Sequence, residues 1–175
     1  MLELDPIIIL GVGFFSLIPF VVTIWNFKYL TKPPLIFKDA HSVQTELTVT
    51  VLIPARNEED NIGQVLSSLR EQTYINYDVI VLNDRSEDYT AKIVNQFLDT
   101  DLSIQLIEGV PTPPGWLGKH WACHQLSSKA TGDFWLFMDA DTVLDRDAIW
   151  AAVDESVVEK SDLLTGQFLL GCRYR

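Results

Sequence analysis

From Leu47 onward, short runs of β-branched and aliphatic residues alternate with stretches whose apolar positions recur every three or four residues. Leu47 to Pro54 (LTVTVLIP) is a β-branched run suited to a buried strand. Asn57 is placed to cap a following helix, with Glu58, Glu59 and Asp60 in its first turn facing the positive end of the dipole. Ile62, Val65, Leu66 and Leu69 then form one apolar stripe. The alternation repeats: a strand over Tyr77 to Asn83, a helix over Glu87 to Leu98 with Ile93, Val94, Phe97 and Leu98 inward, and a strand over Ser103 to Ile107. A Pro- and Gly-rich loop over Glu108 to Gly118 leads into a helix over Lys119 to Ala130 and a fourth strand over Asp133 to Met138. Arg146 to Lys160 completes the helices through Ile149, Ala152, Val153 and Val157, and Leu163 to Leu170 suits one further strand. Such alternation predicts an α/β domain with a mostly parallel sheet and helices on both faces.

Ahead of this domain the pattern changes. Ile7 to Trp25 carries no charge, is long enough to span a bilayer, and holds a proline and glycines that a membrane helix tolerates. Glu3 and Asp5 stand where a cleaved signal peptide would carry basic residues. The expected organisation is a membrane anchor over residues 1–30 with a transmembrane helix at about 7–25, a linker over 31–46 stiffened by Pro33 and Pro34, and a domain over 47–175. Lys28 and Lys32 follow the span while acids precede it, so the expected location is the cell membrane, single-pass, with the domain in the cytoplasm.

Charge narrows the partners. With 24 acidic against 13 basic residues the net charge is −11, and no basic stripe exists to neutralise a nucleic acid backbone. Cys123 and Cys172 are expected to be reduced thiols. His120 and His124 stand four residues apart, but a zinc site needs further ligands at suitable spacing, and the sequence offers none.

The candidate chemistry lies where strands end. Leu136-Phe137-Met138 runs into Asp139-Ala140-Asp141, so two carboxylates leave the strand facing one space. Hard oxygen ligands held that close suit Mg²⁺ or Mn²⁺ that completes its shell with phosphate oxygens. Ala55-Arg56-Asn57-Glu58 and Asp84 end the other two long strands. Each cluster alone fits a polar turn, but in an open α/β sheet ligands bind outside the carboxyl ends of strands, where a shared ligand explains all three. Lys119 follows the flexible loop and supplies a point charge suited to phosphate.

These residues resemble a family. Val51 to Glu59 (VLIPARNEE) looks like the opening strand of family 2 glycosyltransferases, which have a GT-A fold. Asp84, Ser86, Asp88 and Thr90 match that family's D-x-S-x-D-x-T pattern, and Asp139-Ala140-Asp141 its D-x-D. Gly115 to Ala122 (GWLGKHWA) is similar to a stretch of membrane-associated hopanoid and carotenoid glycosyltransferases. The resemblance implies a nucleotide-sugar donor, with a UDP-sugar favoured, and a lipid acceptor at the membrane. It places Pro54, Ala55, Asn57 and Glu58 in the nucleotide pocket, Asp84 on the base, Asp139 near ribose and metal, Asp141 on the metal, and Lys119 near the donor.

The resemblance also implies what is missing. The family's catalytic base belongs to a later acidic motif, usually followed by a Q-x-x-R-W-type segment, and neither follows Asp141; Asp154, Glu155 and Glu159 fall on the predicted helix. The expectation is a donor-binding half whose catalytic residue is unknown and which transfers sugar slowly or not at all by itself. Two competitors remain at this point: a membrane-anchored nucleotide-binding remnant without turnover, and a haloacid dehalogenase-type phosphatase. The latter's D-x-D-x-[T/V] motif fits Asp139 to Val143 but belongs on the first strand of its domain.

Overall fold

The computed structural model describes residues 15, 17–25, 46–98, 103–158, 160 and 162–163. The chain divides into two units, Met1–Lys38 and Asp39–Arg175. In the first, residues 17–25 are helical with exposed apolar side chains. The rest of the predicted span at 7–25, apart from Phe15, lies outside the described residues, as does nearly all of the linker. Among the described residues, no helix is long and apolar enough to cross a membrane.

The second unit is built as four strand–helix pairs: β1 (Val49–Ala55), α1 (Ile62–Arg70), β2 (Tyr77–Asn83), α2 (Thr90–Asn95), β3 (Ile104–Glu108), α3 (Gly118–Ser127), β4 (Phe134–Phe137) and α4 (Ala148–Val158). All pairings are parallel and the order is β3-β2-β1-β4. The chain steps outward from β1 to β3, then returns to β1's other side for β4. Strand order therefore reverses between β1 and β4, where crossovers diverge and open a crevice at the carboxyl ends.

Period-two burial distributes the core between two faces. On one, Val49, Val51, Ile53 and Ala55 of β1 and Val79 and Val81 of β2 pack with residues from α1, α2 and α4. On the other, Leu52, Ile80 and Leu82 pack with Ala122 and Leu126 of α3. The predicted α1 stripe is buried throughout, as its spacing requires. Tyr74 meets Trp150 edge-on at 5.0 Å, and Gln72 Nε2 donates to the Asp145 carbonyl while its Oε1 accepts the Ile149 N–H, tying α4 to the α1–β2 turn.

β4 enters beside β1 through one close approach. The Gly132 N–H donates to Thr50 Oγ1, and a Cβ at Gly132 would meet the Thr50 nitrogen at 2.7 Å. Asp133 accepts from the Thr48 N–H and hydroxyl, which hold its carboxyl below the usual range.

Several local expectations are corrected. Asn57 does not cap α1: it has φ 54°, residues 58–61 form a turn, and α1 begins at Ile62 with Asn61 at the cap position. The acids thus precede the helix instead of filling its first turn. α2 spans Thr90–Asn95, shorter than predicted, and Leu98 and Val157 at the ends of their predicted stripes are exposed. β1 starts two residues later than expected and runs one further, over Val49–Ala55, β4 is trimmed to Phe134–Phe137, and α3 stops at Ser127. The strand predicted over 163–170 and Cys172 lie outside the described residues, apart from Leu163.

Candidate functional site

A cavity of about 330 Å³ opens at the switch point. β1 contributes Pro54, Ala55, Arg56 and Glu58 from its end and the turn after it; β2 contributes Asp84. Asp139, Ala140 and Asp141 come from the end of β4, and Gly118, Lys119 and Ala122 from α3. Met138 and Ala140 are buried while Asp139 and Asp141 are exposed, so the alternation of burial continues past the end of β4 at Phe137 and leaves both carboxylates exposed.

All the predicted site residues except Asn57 line this cavity. Arg56, Gly118, Ala122 and Ala140 also line it, and sequence reasoning gave them no role. For Arg56 the signal was its place inside the strand-end motif. For Gly118 and Ala122 it was their spacing of four with Lys119 beside Gly118, small residues that leave one helix face open to a ligand.

Asn57 works elsewhere. Its side-chain oxygen accepts the Glu87 N–H at 2.9 Å, and its own N–H donates to Ser86 Oγ at 3.1 Å. The same two loops are joined by Glu58 N–H to Thr90 Oγ1 (2.8 Å), Glu59 N–H to Asp88 Oδ2 (3.0 Å) and Tyr89 N–H to Glu59 Oε2 (2.9 Å). Thr90 donates from both its hydroxyl and its N–H to Asp88 Oδ1. Within the four-residue motif, only Asp84 reaches the cavity; Ser86, Asp88 and Thr90 accept backbone N–H groups of the β1–α1 loop. Burial pushes the Asp88 carboxyl up, but these donors outweigh it and hold it below its ordinary value. Asn57 and Arg85, at φ 54° and 57°, are both left-handed non-glycine residues, a conformation that persists where surrounding bonds over-determine it.

Asp84 is the buried acid of the cavity. Its N–H donates to the Ala55 carbonyl at 2.8 Å, and its Oδ1 accepts from Arg85 Nε at 3.2 Å. Opposite, Lys119 Nζ lies 2.6 Å from Asp139 Oδ1, with both side chains more than half exposed. The hydrogen bond to Asp139 raises the Lys119 pKa, so the lysine is a cation throughout the neutral range.

α3 meets the cavity with its amino end. Its first turn has no side-chain cap, and the cap residue Leu117 is extended, so backbone donors and the positive end of the dipole face the space that an anion would take. The loop before it is fastened to the helix. Trp121 Nε1 donates to the Val110 carbonyl, Gln125 Oε1 accepts the Val110 N–H, and Trp116 packs against Trp121 and His124 at 5.2 and 5.0 Å. His124 is thus an aromatic packing partner. Gly115 turns this loop at φ 88°, where a side chain would be strained.

Among the described residues, no group of three or more side chains is arranged to hold a metal ion. Asp139 and Asp141 both line the cavity and could serve as a two-carboxylate half-site for a hard divalent cation that takes its remaining oxygens from phosphates and water. A second cavity of about 250 Å³ adjoins the first, sharing Pro54, Lys119 and Asp139 but walled by Cys123, Leu136, Phe137, Met138 and Leu144.

The domain has counterparts among known proteins. The chain is 36% identical over 129 residues to a 4,4'-diaponeurosporenoate glycosyltransferase of Staphylococcus aureus, covering 69% of this chain and 33% of that one. It is 32% identical over 132 residues to the enzyme of the same name from Staphylococcus haemolyticus, covering 75% and 33%. The chain thus spans about a third of the length of these relatives. In structure it resembles a mannosyltransferase from Pyrobaculum calidifontis in complex with GDP-Man and Mn²⁺, with TM-score 0.61 and 27% identity over 78% of this chain and 39% of that one. It also resembles residues 1–349 of TarS from S. aureus in complex with UDP, with TM-score 0.57 and 27% identity over 66% and 34%. The parallel sheet with its helices is therefore GT-A-like, and the D-x-D follows the fourth strand, not the first as the phosphatase alternative requires. The model of the Glycosyl transferase family 2 domain matches residues 50–170, and the chain belongs to that family.

Proposed function

We propose that this chain binds a nucleotide-diphosphate sugar, with UDP-sugar the favoured donor, for transfer of the sugar to a lipid acceptor at the membrane. One observation carries the proposal: Asp84, Asp139, Asp141, Lys119 and the amino end of α3 converge on one cavity at the switch point of the sheet. An acid suited to N–H or O–H donors of a base or sugar stands on one side, and groups suited to a diphosphate stand on the other.

Asp84 accepts from the nucleoside, with its carboxylate steadied by Arg85. The α3 N–H groups and Lys119 receive the negative charge of the diphosphate, which grows as it leaves the anomeric carbon. A Mg²⁺ or Mn²⁺ held by Asp139 and Asp141 supplies Lewis-acid stabilisation of that charge when bound. The apolar second cavity beside Lys119 and Asp139, and the carotenoid-derived acceptors named for the relatives, support a lipid acceptor. The uncharged Ile7–Trp25 segment supports a membrane anchor with the domain on the cytoplasmic side.

Calorimetry with UDP, GDP and their sugars, with Mn²⁺ and with EDTA, tests the donor. The expected result is UDP binding that depends on the cation; equal affinity in EDTA would refute the metal-assisted site, and a preference for GDP would replace the donor. Lipid product and free sugar, measured separately in detergent, decide whether the chain performs transfer by itself. Robust glycolipid formation would show that a catalytic base lies within these residues.

A further inference from the structure

Among the described residues there are two ion pairs, and each places a cation of the chain on an aspartate of the donor cavity: Arg85 on Asp84 and Lys119 on Asp139. They differ in kind. Asp84 is buried and its partner is the next residue, whereas the Lys119 and Asp139 side chains are 65% and 56% exposed and come from different elements. Asp139 belongs to the two-carboxylate half-site, so a divalent cation that takes this oxygen must first displace an ammonium 2.6 Å away. We propose that Lys119 is a built-in competitor for the metal and exchanges partners when the donor arrives. It neutralises Asp139 beforehand, then moves to the diphosphate and releases Asp139 to the incoming cation. The inference rests on the donor reading above and adds an order to it: metal enters with the nucleotide.

The chemistry of lysine permits the exchange. Its ammonium is a point charge on a flexible four-carbon stem, without the planar fork that fixes an arginine to one carboxylate. An exposed pair of this type holds weakly enough to be displaced, and its loss changes affinity by a factor of roughly two to five. The new partner is within the same space, since Lys119 stands in the first turn of α3, whose backbone donors face the cavity. Before the donor binds, Lys119 opposes the metal by occupying Asp139 and by its own positive charge. Once the diphosphate is present, the same charge favours the loaded site. One residue therefore carries opposite signs in the two states, and linkage makes the nucleotide and the metal raise each other's affinity.

The test is titration of the whole chain with Mn²⁺, free ion being read by electron paramagnetic resonance, with and without UDP. Lys119→Gln is expected to bind Mn²⁺ alone roughly two- to fivefold more tightly than wild type, yet to bind Mn²⁺ less tightly than wild type once UDP is present. Lys119→Arg keeps the charge and should stay close to wild type without UDP. Circular dichroism checks folding, which an exposed side chain leaves unaffected. If Lys119→Gln binds Mn²⁺ alone no better than wild type, competition at Asp139 is refuted, whatever happens with UDP. If wild type gains no Mn²⁺ affinity from UDP, it is the donor reading that fails, and the exchange with it.

Discussion

The two rims of the donor cavity are held in opposite ways. On the β1–β2 side, five hydrogen bonds cross between the loops after the strands, two backbone residues sit in left-handed conformation, and the functional acid Asp84 is buried. On the β4–α3 side, one exposed ion pair joins Asp139 to Lys119. Under the proposed function, the first rim would meet the donors of a rigid nucleoside at fixed positions. The second rim, under the proposed exchange, would trade partners as charge arrives, which a stiff network there would hinder. The difference teaches that one cavity can be locked where it reads shape and left loose where it handles charge.

Mutations can break this comparison. The largest expected effect is on the loose rim: Asp141→Asn removes a charged ligand at constant volume and should weaken Mn²⁺-dependent UDP binding by roughly 10–100-fold, the scale on which metal-site partners act. Because Asp141 is exposed, thermal unfolding should move by less than about 0.5 kcal/mol. A large fall in melting temperature would show that the two rims are not separable.

On the locked rim the signature reverses. Thr90 is fully buried, and Thr90→Val leaves the Glu58 N–H without its acceptor and removes one of the donors to Asp88, at a cost of about 1–3 kcal/mol in stability. Thermal denaturation measures the loss, and nucleotide affinity should fall in Mn²⁺ and in EDTA alike. Asn57 sharpens the comparison on a smaller scale. Asn57→Gly and Asn57→Ala both lose the bond to Glu87, but only alanine keeps a Cβ at φ 54°. Alanine should therefore be the less stable by about 1–2 kcal/mol. Equal melting temperatures would mean that the loop relaxes out of the left-handed region.

The smallest effect concerns acid. Asp88 is held below its ordinary pKa by its donors, so its contribution is complete above the unfolded value, near ~3.9, and is lost as pH falls through the depressed folded value. Amide exchange at Glu59 and Thr90 should accelerate in that acidic window, while amides in the middle of β1 remain protected. Loss of protection at a higher pH would assign the effect to another group.

Much of this was legible before the structure. Continuous apolar runs ending in polar residues, β-branched in β1 and β2 and aromatic in β4, located these strands, and the three-four spacing of α1 gave its buried face, because burial and period follow directly from residue type. Cavity position followed from alternation plus the tendency of α/β sheets to bind at strand ends. What escaped was long-range partnership. Asn57 was expected in the nucleotide pocket, and Ser86, Asp88 and Thr90 stood only as members of a pattern; their donors lie about thirty residues away, and local sequence carries no record of such bonds. Asn57 resembled a helix cap because its neighbours are acids; only the tertiary bond to Glu87 explains a left-handed residue there. Leu98 and Val157 kept the right period but lay where the helix or its packing ran out.

Gly132 has a consequence that reaches beyond its own contact. It is the point at which β4 is indexed against β1, because the missing side chain lets its N–H reach Thr50 Oγ1. Asp139 is seven residues downstream, about 23 Å of extended chain. A bulkier residue at 132 therefore acts as a spacer inserted at the wrong end of a ruler. If β4 slides by one position to make room, Asp139 and Asp141 swap sides with Met138 and Ala140, and the carboxylates turn toward the interior. The placement of Asp139 and Asp141 on the cavity is thus calibrated by a glycine at the opposite end of β4, a place where a screen of cavity residues would never look.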